Sequence, residues 1–306
     1  MKGIREDLED VIYRVAPSKT PFTSSIGNVK AANTYHEWQT ETLDTPNAAN
    51  AQLEGDDIGT LDAADNTTRV GNYCQIFRKT GGVSRTDEIV KKAGRTSEMN
   101  RQKILKGIAL RTDIEKRFLG NYASNAESGS TPRGAAGIQA WLVSNTSLGS
   151  GGSNGGFSAG VVSAATDGTA RSFTEALVKG VLATAFGNGA MPAQCYVGGT
   201  QKQEFSAFTG IASIRADVKG REQATIYAGA DVYVSDFGSI SVIPHQYAVS
   251  GDAVLVDPEF CAVGTLDGIK TEELAKSGDS EKFIMTAEKT LVVKNEKAHA
   301  IVRGIQ

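Results

Sequence analysis

Residues 31–80 read AANTYHEWQT ETLDTPNAAN AQLEGDDIGT LDAADNTTRV GNYCQIFRKT. Strand-forming runs stand only at the two ends of this stretch, around Thr34–Thr42 and Val70–Thr80, and a polar excursion rich in Gly, Asp and Asn separates them. That pattern predicts an extended β-hairpin arm. From Ala31 to Arg78 the chain carries eight carboxylates (Glu37, Glu41, Asp44, Glu54, Asp56, Asp57, Asp62 and Asp65) against Arg69 and Arg78, and no Lys. An isolated two-stranded arm is marginal in water and leaves its edges unpaired, so its stabilising partner is expected to be another surface. The arm therefore points to an assembly subunit rather than a self-contained enzyme.

On the C-terminal side of the arm, Thr96 or Ser97 supplies an N-cap and Glu98 suits the positive end of a helix. Ile104, Leu105, Ile108, Leu110, Ile114, Phe118 and Leu119 then recur mainly at four-residue steps, with Arg101, Lys103, Lys106, Arg111, Lys116 and Arg117 on the polar side. The longest helix of the chain is expected over roughly residues 97–120, ~35 Å at 1.5 Å per residue. On the N-terminal side, Ile4, Leu8, Val11, Ile12 and Val15 form a helical stripe stopped by Pro17 and Pro21.

Residues 144–171 are rich in Gly, Ser, Ala and Thr around the run Gly149–Gly156 and read as a flexible loop, since such a run cannot offset its ordering entropy by burial. Beyond it, Ser172-Phe-Thr-Glu175 matches a capping box opening a helix that ends near Gly187 and Gly189. A strand at Gln194–Val197 and a second capping box, Thr200-Gln-Lys-Gln203, opening a helix to Phe208 come next, then strands at Ala230–Val234 and Ser239–Ile243. Together these predict a small α+β domain over about 172–250. The runs Ala253–Val256, Phe260–Gly264, Phe283–Thr286, Thr290–Lys294 and His299–Val302 are strand-like and lack a long helix, so they are expected to pair with the earlier part of the chain and make the first domain discontinuous.

Composition sets outer limits. With 306 residues, 40% hydrophobic and 22% charged, the chain has enough apolar material for one large or two medium domains. No apolar run approaches the roughly 20 residues that cross a bilayer, and Met1 is followed by Lys2, Gly3 and an acidic segment rather than the apolar stretch of a signal peptide. Neither membrane insertion nor secretion is expected. Cys74, Cys195 and Cys261 are odd in number, far apart and set among strand-like apolar residues, which predicts buried reduced thiols. A net charge of −3 argues against a main affinity for nucleic-acid phosphates. Any nucleic acid nearby is expected to be enclosed, not gripped.

The order helix, acidic arm, long helix, inserted α+β domain and returning strands resembles the major capsid proteins of tailed bacteriophages, built on the Hong Kong 97 fold. Particular stretches carry a closer likeness to such proteins of short-tailed phages: Glu6-Asp-Leu-Glu-Asp-Val-Ile-Tyr13, Pro17-Ser-Lys-Thr-Pro-Phe22, Tyr35-His-Glu-Trp38, Lys270-Thr-Glu-Glu-Leu-Ala-Lys276 and Gly278-Asp-Ser-Glu-Lys282. The resemblance, running from about Ile4 to Ile305, implies an α+β fold with an N-terminal arm (1–34), an extended loop (35–80), a peripheral domain with the spine helix (81–171 and 251–306) and an axial domain (172–250). It implies self-assembly through pentamers and hexamers into an icosahedral shell around double-stranded DNA, in a virion assembled in the host bacterial cytoplasm. A portal and a separate scaffolding protein are the implied partners, the latter expected because the likeness begins almost at Met1. The extended loop would cross a neighbouring subunit, and Glu54, Asp56, Asp57 and Asp62 are expected to meet Arg101, Lys103 and Lys106 of the next copy.

No catalytic, cofactor-binding or metal-binding residues are expected. His36, His245 and His299 lie in three separate strand-like contexts, and the chain has no HExxH, GxSxG, Cys-x-x-Cys or Walker sequence. The Gly149–Gly156 run lacks the strand, helix and Lys of a phosphate cradle. Asp56-Asp57 reads as a solvated acidic turn, and His36 and Trp38 read as packing residues at the root of the arm. An encapsulin-like cargo shell is the alternative of the same fold. A strand-rich adhesin or tail component would show repeats and a secretion or trimerisation segment, which this sequence lacks.

Overall fold

A computed structural model describes residues 19–43, 46–55, 57, 59, 67–92, 96–208, 232–247, 251–276 and 278–306. The expected amphipathic stripe Ile4–Val15 and the carboxylates Asp44, Asp56, Asp62 and Asp65 lie outside the described residues. Helix α1 (Pro21–Ser25) leads into β1 (Gly27–Lys30), and the arm follows as β2 (Tyr35–Thr40) and β3 (Thr68–Tyr73). Then come β4 (Gln75–Ser84), the short α2 (Arg85–Ile89) and the long α3 (Glu98–Leu119). Short elements α4 (Ile138–Trp141), β5 (Thr146–Ser147), β6 (Gly156–Ser158) and β7 (Val161–Ser163) precede α5 (Glu175–Gly187), β8 (Gln194–Val197) and α6 (Gly199–Ser206). Strands β9 (Val232–Ser235), β10 (Gly238–Pro244), β11 (Asp252–Val256), β12 (Cys261–Leu274), β13 (Ser280–Val293) and β14 (Ala300–Arg303) complete the chain.

Two sheets organise these elements. The first has the order β1-β12-β13-β4, with β1 parallel to β12 and the other pairs antiparallel. Helix α3 lies on it, burying Leu110, Ile114, Phe118 and Leu119 against Phe77, Phe283 and Met285, and Phe118 meets Phe77 edge-on at 6.0 Å. The second sheet has the order β5-β14-β11-β8-β10-β9. Because side chains alternate along a strand, Tyr196, Val254 and Ile301 face the core under α3. Their neighbours Cys195, Val197, Ala253, Leu255, Ala300 and Val302 face a second core with Phe173, Val181, Leu182, Phe205 and Tyr233. The near-continuous apolar runs of β8, β11 and β14 are those of strands buried on both faces.

Several expectations need correction. The second leg of the arm ends at Tyr73, since β3 pairs with β2 whereas β4 pairs with β13, and the chain changes sheets at Cys74. The backbone N–H of Cys74 donates to Thr34 O (2.7 Å), and its carbonyl accepts from Arg133 Nε (2.7 Å). A domain boundary at 250 would cut the second sheet, because β11 pairs with β8 on one side and β14 on the other. Residues 283–286 and 290–294, read as two strands, belong to one 14-residue strand, β13, apart from Lys294 just beyond its end.

The Gly149–Gly156 run is a packed crossing rather than a flexible loop. A Cβ at Gly149 would lie 2.2 Å from Thr169 O, and one at Gly155 would lie 2.0 Å from Ser163 O. Glycine is required there by close approach of backbone to backbone. Neither capping box forms. Helix α5 starts at Glu175, whose carboxylate pairs with Lys179 (3.0 Å) and accepts from the Tyr233 hydroxyl (3.1 Å), while α6 starts at Gly199, ahead of Thr200.

Candidate assembly interface

The root of the arm is built by residues that tie β2 and β3 to the body of the chain. Trp38 Nε1 donates to Val293 O (2.9 Å), and its indole packs 5.5 Å from that of Trp141, which stacks on Phe157 at 5.7 Å. The Tyr35 hydroxyl donates to Gly160 O (2.9 Å), and Arg69 Nε donates to Glu37 across the two strands (2.7 Å). At Gly71 a Cβ would lie 2.8 Å from the Tyr35 ring, so only glycine lets that ring lie over the strand. His36 and Trp38 sit at this root as expected, and partial burial pushes the His36 imidazole below its ordinary pKa.

Asn72, which nothing in the sequence singled out, fixes the root most completely. Its Nδ2 donates to Leu291 O (2.9 Å) and Ala136 O (3.3 Å), and its Oδ1 accepts from the backbone N–H of Ala136 (2.9 Å) and Tyr73 (3.0 Å). Polar residues in an exposed hairpin look alike in sequence, and only the fold shows which one is fully buried.

Beyond the root the described residues of the arm have little cover. Leu43 is 90% exposed and Leu53 is 79% exposed, and Glu54 and Asp57 are exposed beside them. Two leucines left in water on an acidic excursion are what an element designed to meet a second surface presents.

Helix α3 carries the expected basic residues, in different states. Its N-terminus is capped twice: Ser97 Oγ accepts from Asn100 N (3.2 Å), and the Glu88 carboxylate from α2 accepts from Glu98 N (3.0 Å) and Met99 N (3.1 Å). A hydrogen bond from the Ser97 side chain to the Glu88 carboxylate, followed by those from the Met99 and Glu98 amides, holds the Glu88 carboxyl below its ordinary pKa. Arg101 pairs with Glu98 (3.0 Å) and Lys103 with Glu273 at the far end of β12 (3.0 Å). Among the described residues no carboxylate pairs with Lys106, so of the three cations expected at an interface it is the one left without an ion pair there. The structure does not bring Glu54 or Asp57 to these cations within one chain, and Asp56 and Asp62 lie outside the described residues.

The opposite end of α3 holds a buried polar knot. Glu115, wholly buried, accepts from the backbone N–H of Phe22 (2.7 Å) and Thr23 (2.8 Å) at the start of α1, and from His245 Nε2 (2.8 Å). His245 Nδ1 accepts from Tyr247 N (3.0 Å), so the ring proton lies on Nε2 and the imidazole donates to the carboxylate. The N-terminal segment, the long helix and the chain after β10 therefore meet at one carboxylate. His299 is buried elsewhere, with Nδ1 accepting from Asp257 N (3.1 Å), and burial pushes it down to about 4. The three thiols are buried, and burial raises each, Cys74 to about 11 and Cys195 to about 12. Among the described residues no three His, Cys, Asp or Glu side chains are grouped to hold a metal ion, and no helix is long and apolar enough to cross a membrane.

The sequence model of one protein family, described as SU10 major capsid protein, matches residues 1–306. The major capsid protein of Escherichia phage Phieco32 is 31% identical over 109 residues, 36% of this chain and 31% of that protein, so the match spans about a third of the relative's length. Among solved structures, the capsid asymmetric unit of Cyanophage A-1(L) superposes with a TM-score of 0.71 at 12% identity, covering 99% of this chain and 97% of that one. The capsid of a native GTA particle superposes with a TM-score of 0.62 at 11% identity, covering 99% and 96%. At these identities the likeness is one of fold, and the fold is the Hong Kong 97 type of phage capsid proteins.

Proposed function

From the premise that the chain belongs to the SU10 major capsid protein family, we propose that it acts by self-assembly, closing through pentamers and hexamers into an icosahedral shell around double-stranded phage DNA. The observation that carries this reading is the family match along residues 1–306. The exposed leucines and carboxylates of the arm agree with it, since an arm of this kind is stabilised by a neighbouring copy. Identical copies repeating one modest interface under closed symmetry gain stability together. The role is structural and non-enzymatic. The β5-β14-β11-β8-β10-β9 sheet with α5 and α6 forms the axial part, and α3 with the β1-β12-β13-β4 sheet forms the peripheral part. Glu54, Asp56, Asp57 and Asp62 of one copy meet Lys106, flanked by Arg101 and Lys103, of the next.

A portal and a separate scaffolding protein are the partners this reading implies, with assembly in the host cytoplasm. The relatives named above are the capsid proteins of two phages and the capsid of a GTA particle, and the two phage capsids favour a genome container over a cargo shell. The test is to purify particles, image them by electron microscopy and identify their contents. Closed icosahedral shells holding DNA are expected; shells filled with protein would support a cargo shell instead, and a soluble monomer under all assembly conditions would sink the proposal.

A further inference from the structure

Among the described residues, three cations gather beside α3 with no acid between them. In the first sheet Lys30 on β1 stands opposite Thr265 on β12, and Thr265 stands opposite Lys289 on β13. Residues opposite one another in a sheet share a face, and alternation from the buried Val263 and Leu291 places this row on the face where α3 lies. Lys30 and Lys289, two strands apart, have Cα atoms about 10 Å from each other, with Thr265 between them. Strand β1 is exposed along its whole length, so the row is open to solvent at Lys30 and half-buried at Lys289.

Helix α3 adds the third cation. Its Glu115 holds the start of α1, which leads into β1, and Arg111 lies one turn earlier on that same side of the helix. Burial, and after it the Arg111 charge, hold the Lys289 ammonium below its ordinary pKa. The acids close in sequence are engaged elsewhere. Asp113 pairs with Lys79 (2.6 Å), and Glu115 is buried on the Phe22 and Thr23 amides and His245. Asp267 and Glu288 stand opposite each other on the other face of the sheet, where they pair with Lys270 (2.8 Å) and Arg133 (2.6 Å). Among the described residues no carboxylate pairs with Lys30, Arg111 or Lys289. A half-buried cation beside a second cation is stabilised by whatever anion comes between them.

We propose that Lys30, Arg111, Lys289 and the Thr265 hydroxyl form a binding site for a phosphate group. Three positive charges and a hydroxyl donor exceed what one carboxylate can neutralise, whereas a phosphate brings up to about two negative charges and three strong acceptor oxygens. The Arg111 guanidinium is a planar fork for two of those oxygens, and the lysines act as point charges on the rest. Strand register and the helix fix the positions of all four residues, so the site does not depend on a loop. The phosphate is either a free one, inorganic or a monoester, or one phosphodiester of an enclosed nucleic acid, and the site stands whether or not the chain closes into a shell.

The experiment titrates the full chain with inorganic phosphate by calorimetry at constant ionic strength, chloride making up the difference. Saturable one-to-one binding is expected, weakened about tenfold or more in Arg111→Gln with Lys289→Gln. It should be unchanged in Lys116→Gln, an exposed cation elsewhere on α3. Circular dichroism checks that each variant is folded, and a second measurement needs no charge removed. With isotope-labelled dimethyl groups on the lysines, the nuclear magnetic resonance signal missing from Lys289→Arg should titrate at higher pH with phosphate than without. Competition by a nucleoside monophosphate but not by a short DNA duplex assigns the site to free phosphate, and competition by both assigns it to the nucleic-acid backbone as well. Phosphate binding no better than chloride, equal affinity in the double variant, or an unmoved Lys289 signal would overturn the proposal. So would carbodiimide treatment of particles that joins Lys289 to a carboxylate of a neighbouring copy, which would give these cations to an interface instead.

Discussion

Asp252 and His299 set opposite pH slopes on the same protein. Burial raises Asp252 to about 6 despite Arg303 nearby, so its contribution is fully present below the ordinary carboxylate range and is lost as pH rises through about 6. Burial lowers His299 to about 4, so its contribution is present above about 6.5 and is lost as pH falls toward 4. Over pH 4–6.5 the two largely offset each other. In Asp252→Asn the histidine slope stands alone, and the variant's deficit in thermal stability against the parent should shrink as pH rises from 4 to 7, by an amount on the order of 1–3 kcal/mol. A deficit independent of pH would show that Asp252 does not titrate in this window. At the arm's root, Asn72→Ala leaves Ala136 N–H and Leu291 O without their side-chain partner in a buried place, and a loss of about 2–4 kcal/mol is expected in chemical denaturation. A loss below about 0.5 kcal/mol would show that water takes over those bonds.

Elements governed by local periodicity are legible in the sequence itself. The long helix expected over 97–120 runs from Glu98 to Leu119 with Ser97 as its cap, because a 22-residue stripe and a capping serine are properties of adjacent residues. The arm is legible as two strand-forming runs around a polar excursion, but the partner of its second run is not, since pairing of β4 with β13 joins residues about 200 positions apart. The Gly149–Gly156 crossing escapes a sequence reading for a related reason: glycine for flexibility and glycine for close approach have the same composition. The basic residues of α3 are legible as one face, whereas the Lys103–Glu273 and Arg101–Glu98 pairs that occupy two of them are not. Hence the charge test on the arm narrows to Lys106. Glu54→Lys with Asp57→Lys should lower particle yield, and Lys106→Glu added to it should restore part of it. Exposed pairs give only ~0–1 kcal/mol each and weaken with salt, so the effect should be larger at about 50 mM than at about 500 mM salt. Normal yield in the first variant would remove charge from the account and leave the arm's leucines to act alone.

For the whole molecule, the absence of Lys from Ala31 to Arg78 removes the nucleophile that an arm lysine joined to a neighbour's asparagine would need. Particles boiled in detergent and reductant should give a single band at the subunit mass, and a ladder of linked species would contradict this. With a net charge of −3, the subunit offers little counterion release on meeting DNA. Emptied shells should accordingly persist without nucleic acid, and shells that fell apart on nuclease treatment would count against that view. The sheet β5-β14-β11-β8-β10-β9, walled on one face by the core under α3 and on the other by that under α5, has a mechanical corollary. A plate clamped on both sides resists bending, and the two halves of the subunit cannot swing about it without opening a core. Inflation of a loaded container would then stretch the seams between copies and swing the arms, while each tile keeps its own curvature.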